Sequence, residues 1–173
     1  MSEAPEFSRL FALADIGAEP KSVSISANEA ERVALARRFG LLSLELLSAE
    51  AGLSAVNSWI EARGILSAQL TQSCVATAQP LAVTVQEPFR IRFEPPVDGV
   101  AEEEFELSAD DCDVSEHDGQ AVDLGEAIAQ TLGLAINPFP RAPNADEVLK
   151  AAGVMQAEDA SPFARLKGLF GKG

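Results

Sequence analysis

LAVTVQEPFRIRFEP, residues Leu81 to Pro95, alternates in character with a period of two. Leu81, Val83, Val85, Phe89, Ile91 and Phe93 stand against Ala82, Thr84, Gln86, Arg90 and Arg92. Successive side chains of a strand point to opposite faces, so the pattern predicts a strand over Leu81 to Phe93 with one apolar face and one wet face. Upstream, GILSAQLTQSC (Gly64 to Cys74) sets Leu66, Ala68, Leu70, Gln72 and Cys74 against Ile65, Ser67, Gln69, Thr71 and Ser73, with Cys74 toward the apolar side. Leu41 to Ser48 and Ser54 to Arg63 carry further strand signals, punctuated by Gly52 and Gly64. Together these segments predict an antiparallel meander with a solvated face. Arg90 and Arg92 fall on that face, placed either to pair with the acidic block that follows Phe93 or to meet a polyanion.

Outward from the meander, Glu6 to Leu13 and Ser22 to Ser26 read as short strands separated by a turn at Ala18 to Lys21. A helix follows. Asn28 is a good N-cap, Glu31 occupies the capping-box position, and Gly40 sits where a C′ glycine belongs. Arg32, Arg37 and Arg38 project from this helix; positive charge near its end complements the macrodipole, and a phosphate contact is the alternative use of Arg37 and Arg38. A second helix is predicted in VDLGEAIAQTLGLAINPFPR (Val122 to Arg141). Asp123 is its N-cap, Glu126 is set for a capping box, and Leu124, Ala127, Ile128, Leu132 and Ala135 recur at helical spacing. Pro138 and Pro140 forbid continuation.

The chain of 173 residues carries a net charge of -14, and that charge is concentrated. Between Phe93 and Pro140 there is no Lys or Arg, yet 13 of the 27 acidic residues fall there, leaving a balance of -1 elsewhere. Asp98 to Gly119 is therefore expected to be a mobile or edge segment, with Phe105 and Leu107 pairing as a short strand. A solvated loop accounts for it. So does a surface complementary to a basic partner, since such a field attracts cationic proteins and repels nucleic acid.

The hydrophobic fraction of 47% suits a globular core. No run approaches the roughly 18 apolar residues of a membrane span, and MSEAPEFSRL lacks the layout of a signal peptide, so a soluble, cytoplasmic protein is expected. Cys74 and Cys112 form no C-x-x-C pair and read as plain thiols. His117 is the single histidine, no serine or cysteine lies in a nucleophile elbow, and Gly171-Lys172 follows no strand, so nothing resembles an enzyme. After Arg141 the composition changes. Asn144 to Ala152 suggests a short helix ended by Gly153, and SPFARLKGLFGKG (Ser161 to Gly173) a miniature amphipathic helix that is either a frayed terminus, since so short a helix is marginal in water, or a docking segment with Phe163, Leu166 and Phe170 as anchors.

The order of these phrases resembles a known family. Gln72-Ser73-Cys74 at a strand end, Glu87 to Phe93 (EPFRIRF) ending the next strand, an acidic insert, and then Val122 to Arg141 are similar to the YceD family; Glu31 to Glu50 resembles its alphaproteobacterial branch. The likeness covers roughly Phe7 to Arg141. It implies a non-enzymatic ribosome-biogenesis factor supporting accumulation of 23S ribosomal RNA. Many YceD-like proteins carry a C-x-R-C pair after the corresponding strand and further cysteines after the late helix, an arrangement that suggests a structural metal. Here Thr77 occupies the second position and RAPNADEV (Arg141 to Val148) has no cysteine, so neither metal nor cofactor is expected.

The expectation is thus an α+β domain over residues 6–141. A curved or barrel-like antiparallel sheet of about five or six strands is packed by two helices, with an acidic insert at about 98–119 and a flexible C-terminal tail at 142–173. The expected partner is a basic ribosomal protein, met through Glu102, Glu103, Glu104 and Glu106, or a large-subunit ribosomal RNA precursor, met through arginines such as Arg37, Arg38, Arg90 and Arg92. Phe163 and Leu166 would anchor the tail. The alternative is an interaction adaptor unrelated to ribosomes.

Overall fold

The computed structural model describes residues 5–95 and 113–154. In chain order these form β1 (Leu10–Ala12), a single 3-10 turn (Leu13–Asp15), β2 (Lys21–Ser26), α1 (Glu29–Arg38), β3 (Ser43–Val56), β4 (Trp59–Ser73), β5 (Pro80–Glu94), β6 (Asp113–Glu116), β7 (Ala121–Asp123), α2 (Leu124–Ala135) and α3 (Ala145–Ala151). The chain divides into two compact units, residues 1–72 with 82–138, and residues 73–81 with 139–173.

The large sheet runs β2-β3-β4-β5-β6. Its first pairs are antiparallel, but β6 runs parallel to β5. The long connection between β5 and β6 permits a crossover that a tight hairpin would forbid. With β2 and β6 at its two ends the sheet is open, which corrects the barrel-like expectation, and the parallel strand makes it mixed. A separate ribbon joins β1 to β7, pairing Leu10 with Asp123 and Ala12 with Ala121.

The three segments expected between Leu41 and Cys74 are two long strands. Val56 pairs with Trp59, so the turn is Asn57-Ser58, in the middle of the stretch expected as a strand over Ser54 to Arg63. Asn57 has φ +54, a left-handed conformation that asparagine tolerates and two-residue hairpins require. Gly52 and Gly64 are not breaks but mid-strand positions, paired with Arg63 and Ala51. A Cβ at Gly64 would lie 1.9 Å from the carbonyl oxygen of Glu50, so the ladder closes there on bare backbone. The strand expected over Glu6 to Leu13 is confined to β1. Part of the acidic insert is ordered as β6, whereas Phe105 and Leu107 lie outside the described residues.

Both helices are capped at the expected residues. Asn28 Oδ1 accepts from Glu31 N at 3.0 Å, and Glu31 Oε2 accepts from Asn28 N at 2.7 Å, a complete capping box. At the far end Gly40, with φ +63, donates its N–H to Arg37, and Leu41 N reaches Ala36 O at 2.8 Å, which satisfies the last carbonyls of α1. Asp123 caps α2 through Glu126 N, but Glu126 does not complete a box; Arg38 takes its carboxylate. In the first unit Leu35 of α1, Leu124, Ile128 and Leu132 of α2, and Leu47, Leu53, Leu66 and Phe93 of the sheet are buried in one core, each worth about 1.5–3 kcal/mol on burial. The second unit contains α3, which ends where Gly153 turns with φ +78 as the sequence suggested, and a small cluster of Cys74, Ala142 and Ala145.

Candidate partner-binding surface

The alternation of β4 and β5 places Trp59, Glu61 and Arg63 on the same sheet face as Arg90, Arg92 and Glu94. At its centre Glu61 has a side chain only 11% exposed. It accepts from Arg90 Nε at 2.7 Å and from Arg63 Nε at 2.6 Å. Burial pushes the Glu61 carboxyl up, but the hydrogen bonds from Arg90 and Arg63 outweigh it and hold it below the usual carboxylate value. Arg92 lies over the Trp59 ring, 4.5 Å from its centroid, and reaches Glu94 at 3.6 Å. The arginines of the wet face therefore pair with neighbours in β4 and β5, Arg90 with Glu61 and Arg92 with Glu94, and of these only Glu94 belongs to the acidic block expected as their partner. Trp59 Nε1 and Arg92 Nε remain buried without hydrogen-bond partners.

Arg38 is likewise committed. It spans Glu126 of α2, at 2.9 Å, and Glu6, also at 2.9 Å, and the first of these contacts does most to raise its pKa. Arg37 is exposed, and no ion pair among the described residues involves it. The two adjacent candidates on α1 thus have different roles. Arg141 pairs with Asp146. Glu102, Glu103, Glu104, Glu106, Phe163 and Leu166 lie outside the described residues.

Arg9 was not legible as important. Its guanidinium binds both carboxylate oxygens of Glu31, at 2.7 and 2.9 Å, and the carbonyl of Ser26 at 2.8 Å. Its own N–H donates to Asp123 Oδ1 at 2.8 Å, while Ser8 Oγ donates to Asp123 Oδ2 at 2.6 Å. The segment before β1 thereby grips the N-cap of α2 and the capping box of α1. Gly125 makes room for it: a Cβ there would stand 2.7 Å from Arg9 N and 2.8 Å from Phe7 O.

Cys74 is 2% exposed, and its Sγ accepts from Ala142 N at 3.3 Å. The Thr77 hydroxyl, buried without a well-aligned hydrogen-bond partner, lies beside it. That hydroxyl first, then the Ala142 N–H, favours the thiolate and brings the thiol to about 7, against burial, which raises it. Among the described residues no group of three or more His, Cys, Asp or Glu side chains is placed to hold a metal. His117 sits in the turn after β6, where its Nδ1 accepts from Gly119 N, and Asp118 accepts from Gln120 N and Ala121 N. Among the described residues no helix is long and apolar enough to cross a membrane.

The model of a protein family described as Large ribosomal RNA subunit accumulation protein YceD matches residues 62–170, from Ala62 of β4 onward. No curated protein and no solved structure matches the chain. With well over half of its length covered by that match, the chain belongs to the YceD family.

Proposed function

We propose that this chain is a non-enzymatic, cytoplasmic ribosome-biogenesis factor that supports accumulation of 23S ribosomal RNA by holding a basic ribosomal protein against its acidic surface. The family's description supports the ribosomal part of this reading. The observation that carries the rest is the internal neutralisation of the arginines. Arg38, Arg63, Arg90, Arg92 and Arg141 each face a carboxylate of the same chain. Turning one to a phosphate would first break an existing ion pair, a cost of about 0–1 kcal/mol at these partly exposed sites. The described residues hold ten Lys and Arg against seventeen Asp and Glu, and the acids of Asp98 to Asp111 add to that excess. Such a field favours a cationic protein over a polyanion.

Affinity capture of the tagged full chain from lysate, with and without RNase and at two salt concentrations, tests this. A ribosomal protein retained after RNase, and lost when Glu102, Glu103, Glu104 and Glu106 are changed to Gln, is the expected result. Precursor RNA that disappears with RNase and with Arg37→Gln would instead support direct RNA binding, for which Arg37, exposed and in no ion pair among the described residues, is the favourable observation. Absence of ribosomal material in both halves would favour an adaptor outside ribosome assembly.

A further inference from the structure

β6 ends the large sheet, and among the described residues nothing pairs with its outer edge. The direction of its backbone groups follows from one bond: His117 N donates to Glu94 O in β5 at 3.0 Å. Because alternate residues direct their N–H and C=O groups to opposite sides, Asp113 and Ser115 face β5, while Val114 and Glu116 offer theirs outward. Below this edge, between β6 and α2, lies a groove of about 150 Å³ with Ile91, Ala127 and Thr131 as its floor and the exposed Leu134 at its rim. Cavities of about this size admit a benzene-sized group. Asp113 lines it, Glu116 follows on the opposite face of the same edge strand, and no Lys or Arg occurs between Phe93 and Pro140. Arg92 stands opposite Val114 on the other sheet face, where Trp59 and Glu94 hold it.

The geometry points to β6 as a docking edge. An extended basic polypeptide segment, with apolar residues alternating with Lys or Arg, adds there as a further strand. Its backbone pairs with Val114 and Glu116, alternate apolar side chains enter the β6–α2 groove, and its cations meet the acidic flank. An edge with unpaired N–H and C=O groups is a template for such pairing, and the groove and charge select what joins it. This rests on the reading that the partner is a basic protein, and adds how it is held.

The test titrates the full chain with a short fluorescent peptide of alternating lysine and valine, read by anisotropy. A glutamate–valine peptide and one with the lysines and valines in separate blocks are the comparisons. The alternating lysine peptide is expected to bind best, with affinity falling as salt rises. Val114→Pro removes one outward N–H without removing a bond to β5 and should weaken binding at least about tenfold. Leu134→Glu, at a helix position that is already exposed, should do the same by spoiling the rim, and it decides the matter if Val114→Pro fails to fold. Wild-type affinity in either folded variant, or equal binding of the blocked peptide, overturns the proposal. A ribosomal protein captured equally by wild type and Val114→Pro would sink the docking mode and leave the proposed function standing. Peptide binding lost in Val114→Pro, with no ribosomal protein captured by wild type, would do the reverse.

Discussion

Replacing Gly125 by Ala sets two physical arguments against each other. In an exposed helix alanine exceeds glycine by about 1 kcal/mol, partly because glycine leaves the unfolded chain more freedom. The surroundings of Gly125 reverse that sign. Its Cβ would meet Arg9 N at 2.7 Å, Phe7 O at 2.8 Å and Ser8 C at 2.9 Å, all backbone atoms that no rotamer change can withdraw. Restoring ordinary contact moves the segment before β1 by about half an ångström, and overpacking of this kind costs about 1–3 kcal/mol. The shift also strains the bonds from Arg9 N and Ser8 Oγ to the Asp123 carboxylate and from Leu124 N to Arg9 O. A hydrogen bond to a charged group contributes about 1.5–3 kcal/mol. With one such bond weakened and the propensity gain subtracted, Gly125→Ala should lose about 2–4 kcal/mol. Urea unfolding followed by fluorescence of Trp59, the single tryptophan, and by circular dichroism measures it as a lower midpoint at unchanged slope. Gly133→Ala is the control, since the three atoms nearest its Cβ all belong to the Phe39 ring, a side chain that can turn. Stability in Gly125→Ala equal to or above wild type would refute the reasoning.

Glu61→Gln should cost about 1–2 kcal/mol at neutral pH, mainly through Arg90, because Arg63 is 60% exposed and its ion pair is screened. Since the folded-state pKa of Glu61 lies below its usual 4.5, its contribution is complete above that pH and fades as pH falls through the folded value. Urea midpoints between neutral and acid pH should therefore fall less steeply in Glu61→Gln than in wild type; parallel curves would contradict the assignment. Arg37→Gln should change stability by under about 0.5 kcal/mol, and Arg38→Gln should lose about 1 kcal/mol, as unfolding midpoints will report. Ultraviolet titration of the Cys74 thiolate in a variant lacking Cys112 should show a transition near 7 that moves upward in Thr77→Val. An unmoved transition would remove Thr77 from the account.

Local signals were the most legible part of the sequence. Asn28, Glu31, Gly40 and Asp123 act within a few residues of themselves, and each caps where its chemistry predicted. Period-two alternation likewise sorted Phe89, Ile91 and Phe93 from Arg90 and Arg92. The joining of strands was less legible. Glycine was read as punctuation at positions 52 and 64, while the actual turn rests on Asn57 and Ser58, a pair without glycine or proline. β6 and β7 are too short to show a period, and β7 is stabilised by β1 from the other end of the sequence. The same distance hid the role of Arg9, whose partners Ser26, Glu31 and Asp123 no local pattern could connect. At the candidate surface, sequence placed the arginines on the correct face, but Glu61 was not distinguished from any other strand carboxylate. Only the fold brings it between Arg63 and Arg90.

The pairing of β1 with β7 also bears on how the chain is made. The bond from Arg9 N to Asp123 spans 114 residues, so the segment before β1 has no partner there until nearly three quarters of the chain has been synthesised. At translation rates of about 5–20 residues per second, Phe7, Arg9 and Phe11 wait on the order of 6–20 s. Much of the β3–β4 hairpin, a local structure, has time to form during that interval. Final closure is then a late event in which an early-made segment is captured by the N-terminus of α2, and a ribosome paused before Asp123 would hold a nascent chain with its sheet begun and α2 not yet made.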